Sequence, residues 1–230
     1  MLESLEQRRM LAVAVSATSG VLTINGDKGA NVINVIEVGH TVHVETSTLP
    51  GGAITQQDFT GITKININGG DGNDQIFYDG DTVGATIHGD GANAASPGNK
   101  GGSKNHGGSS GGSGGGKNGS GNGNGDDQIT VTDDGTASSI IYGDKGNDVL
   151  TVAVGNNTTV FGNEGNDLIY LNTALDPSDL VHGKTFTDAG DGNDVITAYG
   201  GVNNILGGKG NDTLIDLGGT NTYSGIETVV

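Results

Sequence analysis

One short pattern constrains this chain more than any other feature. A hexapeptide ending in Gly-Asn-Asp recurs at residues 69–74, 143–148, 162–167, 189–194 and 207–212. A sixth copy at 122–127 ends in Gly-Asp-Asp, and two weaker copies at 26–31 and 88–93 end in Asn. Two places after the final residue stands an aliphatic side chain in every copy but the one at Asn93: Ile33, Ile76, Ile129, Leu150, Ile169, Ile196 and Leu214. Gly, Asn and Asp are turn formers, because they tolerate left-handed backbone and bond their own main chain. The short β-branched runs between the hexapeptides are strand-like and too short for helices.

Measured between final residues, the steps are 43, 19, 34, 21, 19, 27 and 18. The unit is therefore 18–21 residues: turn, strand, looser turn, strand. The step of 43 reads as two units with one turn lost near Gly51 and Gly52. The step of 34 contains residues 94–121, a Gly/Ser/Asn-rich stretch with no Val, Ile, Leu, Phe or Tyr and hence nothing to bury. The step of 27 carries a Leu175–Leu180 excursion that suits one helical turn. Self-similarity at such a period marks a solenoid, in which each unit buries its apolar face only against its neighbours. The expected fold is all-β: a right-handed parallel β-roll, or β-solenoid, of about eight coils. Its segments are 1–20 (export or capping), 21–93 (first coils), 94–121 (flexible insert) and 122–230 (acidic coils).

The G-G-x-G-x-D-x-U-x pattern of these copies resembles the calcium-binding nonapeptide of hemolysin-type (RTX) repeats. The resemblance implies a β-roll whose turns hold Ca²⁺ through the sixth-position Asp and main-chain carbonyls. That role maps onto Asp74, Asp127, Asp148, Asp167, Asp194 and Asp212. Other oxygen-bearing turn residues join them as candidate ligands: Asp71, Asn73, Asp126, Asp144, Asn147, Asn163, Asn166, Asp191, Asn193 and Asn211. Alternate turns are degenerate here, so one dominant ion column along one edge is expected.

Elementary chemistry points the same way. Calcium takes six to eight hard oxygens held flexibly. A glycine-rich turn can aim its carbonyls inward, and a short Asp reaches the centre that a longer Glu would overshoot; the chain has 21 Asp and 6 Glu. Residues 122–230 hold 16 acids against 3 lysines, so most of the net charge of −17 lies where the turns repeat best. Carboxylates stacked on successive coils repel, and a divalent cation between them reverses the sign. The same turns are also sound turn chemistry with no ion at all. The copies ending in Asn31 and Asn93 offer only a neutral oxygen.

Other function classes find little support. An excess of acid disfavours nucleic acid, which attracts Lys and Arg, and no apolar run reaches the ~18 residues of a membrane span. Without cysteine there is no disulfide or thiolate chemistry. No His-Glu-x-x-His is present, and the Gly-x-Ser-x-Gly match at 111–115 lies inside the insert. His40 and His43, three apart, fall on opposite faces of a strand. No enzymatic activity is expected. The N-terminal Leu5-Glu6-Gln7-Arg8-Arg9-Met10-Leu11 resembles the L-E-x-R-x-L-L motif of bacterial extracellular proteins, with Gln7 and Met10 as departures. Secretion or surface attachment is the expectation, and millimolar extracellular calcium would suit weak sites. The alternative is a structural or adhesive solenoid that contacts a cell-surface protein or glycan, with calcium as a structural ion only.

Overall fold

A computed structural model describes residues 13–48, 51–91, 125–133, 136–154, 156–173 and 184–230. Among these there are nineteen strands in two sheets and no helix. The first sheet runs, edge to edge, β1 (Val13–Thr18), β2 (Val21–Gly26), β6 (Lys64–Gly70), β8 (Ala85–Asp90), β10 (Ile140–Lys145), β12 (Asn156–Glu164), β14 (Lys184–Asp191), β16 (Val202–Lys209) and β18 (Thr220–Ser224). The second runs β19 (Thr228–Val229), β17 (Thr213–Asp216), β15 (Val195–Ala198), β13 (Leu168–Leu171), β11 (Val149–Val154), β9 (Gln128–Asp133), β7 (Gln75–Gly80), β3 (Asn31–Val38), β4 (Thr41–Thr48) and β5 (Thr55–Thr60). Each hexapeptide carries the chain from the first sheet to the second.

Neighbours from β2 to β18, and from β19 to β3, are all parallel. Parallel sheets bury their faces, and the two sheets supply one shared core. The aliphatic residue after each turn lies in it: Ile33, Ile76, Ile129, Leu150, Ile169, Ile196 and Leu214 are at most 2% exposed. Burying each such side chain contributes roughly 1.5–3 kcal/mol. Because strand side chains alternate with period two, the residue two places before each aliphatic one, Asn31 in the first coil and Asp in the others, faces the same interior. That parity is why the sixth-position carboxylates are buried.

The sheets are mixed, and here the structure corrects an all-parallel expectation. β1 pairs antiparallel with β2, while β3, β4 and β5 form an antiparallel meander at the edge of the second sheet. The 43-residue step is therefore not two coils with a lost turn. β2 stacks directly on β6 and β3 on β7, and the intervening residues leave the stack as β4 and β5. Eight-residue strands with tight turns, Gly39 at φ 62° among them, pair more readily with their own neighbours than with a distant coil. The segment 1–12, the insert 94–121 and the 175–180 excursion lie outside the described residues.

Candidate metal centre

The hexapeptide turn depends on left-handed backbone at its second and fourth positions. The fourth is Gly72, Gly146, Gly165, Gly192 and Gly210, with φ between 113° and 158°. A Cβ at Gly165 would fall on the carbonyl of Gly146 one coil earlier, and the same holds for Gly192 over Gly165. Its N–H donates to the third-position carbonyl of the following coil, as Gly146 does to Glu164 at 2.9 Å and Gly192 to Lys209 at 2.8 Å. Glycine is required there because backbone approaches backbone, coil on coil.

Inside this frame the sixth-position carboxylates form a ladder. Oδ1 of each accepts the main-chain N–H of the sixth residue one coil earlier: Asn31 to Asp74 (2.7 Å), Asp74 to Asp127 (2.7 Å), Asp127 to Asp148 (2.8 Å), Asp148 to Asp167 (2.9 Å), Asp167 to Asp194 (2.7 Å) and Asp194 to Asp212 (2.9 Å). Oδ2 of all six aspartates is buried and has no hydrogen-bond partner. A buried polar atom without a partner costs ~1–3 kcal/mol, and more when charged. Burial and the neighbouring carboxylates push Asp74 and Asp167 up to about 7, Asp127 to about 8, Asp148 to about 9 and Asp194 to about 6. Asp212 is raised as well, chiefly by burial.

The orphaned oxygens share one setting. A Cβ added at Gly69 would meet both Asp74 Oδ2 and the carbonyl oxygen of Gly89, the first-position residue of the next coil. The same pair of oxygens meets at Gly143 (Asp148, Gly162), Gly162 (Asp167, Ala189) and Gly207 (Asp212, Gly225). Among the described residues no three acidic or histidine side chains converge. Any ion must therefore take main-chain carbonyls along with the carboxylate. A donor set of hard oxygens alone suits Ca²⁺ rather than a thiolate- or imidazole-seeking metal.

The family model for the RTX calcium-binding nonapeptide repeat matches the chain in four copies, over residues 66–82, 122–159, 154–173 and 188–225. Those four stretches are RTX repeats. No curated protein and no solved structure matches the chain. This repeat family is a calcium-binding, structural one.

The remaining expected ligands of the RTX turns take three different places. Fifth-position residues form an exposed outer ladder of opposite sense, in which the later coil donates. Asn147 N–H reaches Asp126 Oδ1 (2.7 Å), Asn166 reaches Asn147 (2.9 Å), Asn193 reaches Asn166 (2.7 Å) and Asn211 reaches Asn193 (2.9 Å). Asn73 is exposed at the same level. At the third position Asp191 is exposed and takes Lys209 Nζ at 2.6 and 2.7 Å, while Asp71 is half-buried. Second-position Asp144 and Asn163 turn inward at φ 75° and 77°.

Two features of the column go beyond the motif matches. Its ends are closed by Asn31, whose amide sits against the ladder, and by Glu227, whose Oε2 accepts Asp212 N–H at 2.6 Å. Gly225 stands level with Gly207, and Thr228 pairs with Thr213, so the last RTX turn is only Gly225-Ile226-Glu227. The longer Glu makes up the reach of the shortened turn. Its signal in the sequence is the acid-x-aliphatic run Glu227-Thr228-Val229.

The second feature is a register correction. Residues 88–93 and 122–127 are not two turns but one. Strand β8 pairs Asn68 with His88 and Gly70 with Asp90, which makes Gly89 the first position and Asp90 the second. Gly125, stacked between Gly72 and Gly146, is the fourth, and Asp127 the sixth. The low-complexity insert interrupts a single RTX turn, and Asn93 lies outside the described residues.

On the opposite edge, among the described residues, the side chains of Asp133, Asn203 and Glu37 are paired within the protein. Asp133 takes Ser139 N–H and Thr158 O–H (3.0 and 2.7 Å) on Oδ2 and Ser139 O–H on Oδ1 (2.9 Å). Asn203 Oδ1 accepts from Asn172 and from the Thr185 hydroxyl (2.9 and 2.6 Å), and its Nδ2 donates to Gly200 O (2.9 Å) and Asn221 Oδ1 (2.7 Å). Glu37 accepts from the N–H groups of Asp81, Thr82 and Val83. Neutral amides and hydroxyls satisfy one edge; orphaned carboxylates line the other.

Proposed function

We propose that this chain binds calcium ions along the edge lined by Asp74, Asp127, Asp148, Asp167, Asp194 and Asp212. The observation that carries this reading is the row of six buried Oδ2 atoms without a partner, five of them beside a first-position glycine of the same edge. The residues that would hold an ion are these carboxylates and turn carbonyls. Second-position Asp144 and Asn163 and third-position Asp71 and Asp191 enclose the turn. Fifth-position Asp126, Asn147, Asn166, Asn193 and Asn211 serve it from the outside, by spacing the coils through their ladder, and Asn73 stands exposed at the same level. Bound calcium supplies positive charge where buried carboxylates otherwise repel. Since an ion that spans two coils binds the folded chain alone, it stabilises that state by mass action, and folding is calcium-coupled. The two-strand units wind as a right-handed roll of about eight coils, and the chain works outside the cell or at its surface, where calcium is abundant. Circular dichroism and urea unfolding in EGTA and in millimolar calcium test the reading: superimposable curves refute it.

A specific observation favours contact with a partner as the second reading. The outer face of β3, β4, β5 and β7 holds a cavity of about 580 Å³ lined by Asn34, Ile36, His43, Glu45, Asp58 and Phe77 among others. Two side-chain pairs are already set there, His43 with Asp58 (2.8 Å) and Gln56 with Glu45 (2.7 Å). Planar amides and carboxylates over an aromatic floor suit a glycan. A glycan array probed with the calcium-loaded chain and with a His43→Ala/Glu45→Ala variant distinguishes this adhesive role from ion binding alone.

A further inference from the structure

The second position of the turn is glycine in three coils: Gly70, Gly190 and Gly208 occupy it with φ of 113°, 111° and 104°. Acid takes it in three others: Asp27, whose Oδ1 is held by Gly29 N–H and the Asn31 amide, and then two successive coils. Asp90 takes the position in the interrupted turn, and Asp144 takes it in the next, two residues on from the paired His88 and Tyr142. Asn163 follows in the third coil, paired with Asp144. Asp144 and Asn163 hold the same left-handed backbone, at φ 75° and 77°, which Asp and Asn tolerate better than other side chains do.

Both carboxylates are almost wholly buried, Asp90 at 0% and Asp144 at 2% exposure. Each is held by one oxygen. Asp90 Oδ2 accepts Lys145 N–H at 3.1 Å, and Asp144 Oδ2 lies 3.0 Å from His88 Nδ1. The His88 ring is in turn fixed by stacking on Tyr142, with centroids 4.4 Å apart and planes within 7°. The other oxygen of each, Asp90 Oδ1 and Asp144 Oδ1, is buried with no partner, and so is Asn163 Nδ2. Rotating that amide by half a turn presents its oxygen instead. Three consecutive coils thus offer orphaned groups at one level of the edge, outside the sixth-position column.

We propose that Asp90 and Asp144, with the amide of Asn163, form a separate divalent-cation site at the interrupted turn, and that His88 positions Asp144 for it. Hard carboxylate and amide oxygens select Ca²⁺, and a neighbour that fixes one oxygen of a ligating carboxylate is the usual outer support of such a site. The site deepens the calcium reading above and rests on it; it gives Asp144 and Asn163 an ion shared with Asp90 at the second position, apart from the sixth-position column. A cation here joins the coil that the insert leaves to the two coils after it.

The test is calcium stoichiometry by native mass spectrometry of the full chain, with equilibrium dialysis against ⁴⁵Ca²⁺. The variants are Asp90→Asn, Asp144→Gly and Asp167→Asn. Asp144→Gly installs the glycine of three other coils and relieves the left-handed backbone, so its folding is not at risk. The expected result is one ion fewer per chain in Asp90→Asn and in Asp144→Gly, with no further loss when the two are combined. Asp167→Asn weakens the column while leaving this site filled. Wild-type chain that binds calcium, with unchanged ion counts in both Asp90→Asn and Asp144→Gly, overturns this site alone. Wild-type chain that binds no calcium overturns the column reading and this site together.

Discussion

Replacing Asp148 by Asn separates what the carboxylate does for the fold from what it does for an ion. Its Oδ1 accepts Asp127 N–H at 2.8 Å, a bond that an amide oxygen reproduces. Its Oδ2 is buried without a partner. Burial, with repulsion from Asp167 and Asp127, lifts this carboxyl from its ordinary 3.8 to about 9. At pH 7 without calcium the unfolded chain ionises the group and the folded chain cannot. Retaining a proton about three pH units above the ordinary value costs ~4 kcal/mol at ~1.4 kcal/mol per unit. Asn carries no such cost, although its Nδ2 must find an acceptor among the turn carbonyls, which leaves a net gain of ~2–4 kcal/mol. The Asp148→Asn variant is therefore expected to unfold in EGTA at a urea concentration roughly 1–2 M higher than wild type. In millimolar calcium the order reverses, because the variant has lost a charged ligand. Urea titrations followed by circular dichroism at pH 7, in both conditions, give the four midpoints. If Asp148→Asn is the less stable protein in EGTA, the carboxylate stabilises the metal-free fold and the reasoning fails.

The pH dependence follows from the same shifts. Between about pH 4 and pH 9 the folded, metal-free chain binds more protons at Asp74, Asp127, Asp148 and Asp167 than the unfolded chain does. Its stability therefore falls as pH rises through that window, and melting in EGTA at pH 5 and pH 8 is expected to show the higher midpoint at pH 5. Calcium affinity runs the other way, and calorimetry in buffers of different ionisation enthalpy should detect proton release on binding. Gly165→Ala forces a side chain onto the Gly146 carbonyl at φ 141° and should cost ~2 kcal/mol or more, read as faster hydrogen exchange of residues 146–167 in both conditions. Asn203→Ala removes the hub of the opposite edge and should cost ~1–3 kcal/mol, equally in calcium and in EGTA. A loss confined to calcium would place metal on that edge. Ile169→Ala empties a fully buried core position and should cost ~2–5 kcal/mol, again without regard to calcium.

Much of the site was legible because its logic is local. Turn chemistry at Gly165-Asn166-Asp167 and strand parity between Asp167 and Ile169 both act within five residues. They suffice to place the carboxylate and the aliphatic side chain on one interior face. Glu227 escaped notice because its turn is three residues short, so no hexapeptide marks it; only its level beside Asp212 does. The fifth-position asparagines looked like ligands, since an amide oxygen is a plausible donor to calcium. Their actual partners are main-chain N–H groups one coil away.

The sequence by itself determined the period, the turn type, the buried face and the edge on which acid would accumulate, since each follows from the conformational preferences of a few adjacent residues. Tertiary structure alone decided register. It paired Asn31 with Asp74 across the β4–β5 meander and joined Gly89-Asp90 to Gly125-Asp127 as one turn. Stacking contacts link residues 15–56 positions apart. No local preference reports on partners at that distance, because the strands that bring them together gain their energy only when the coils are stacked.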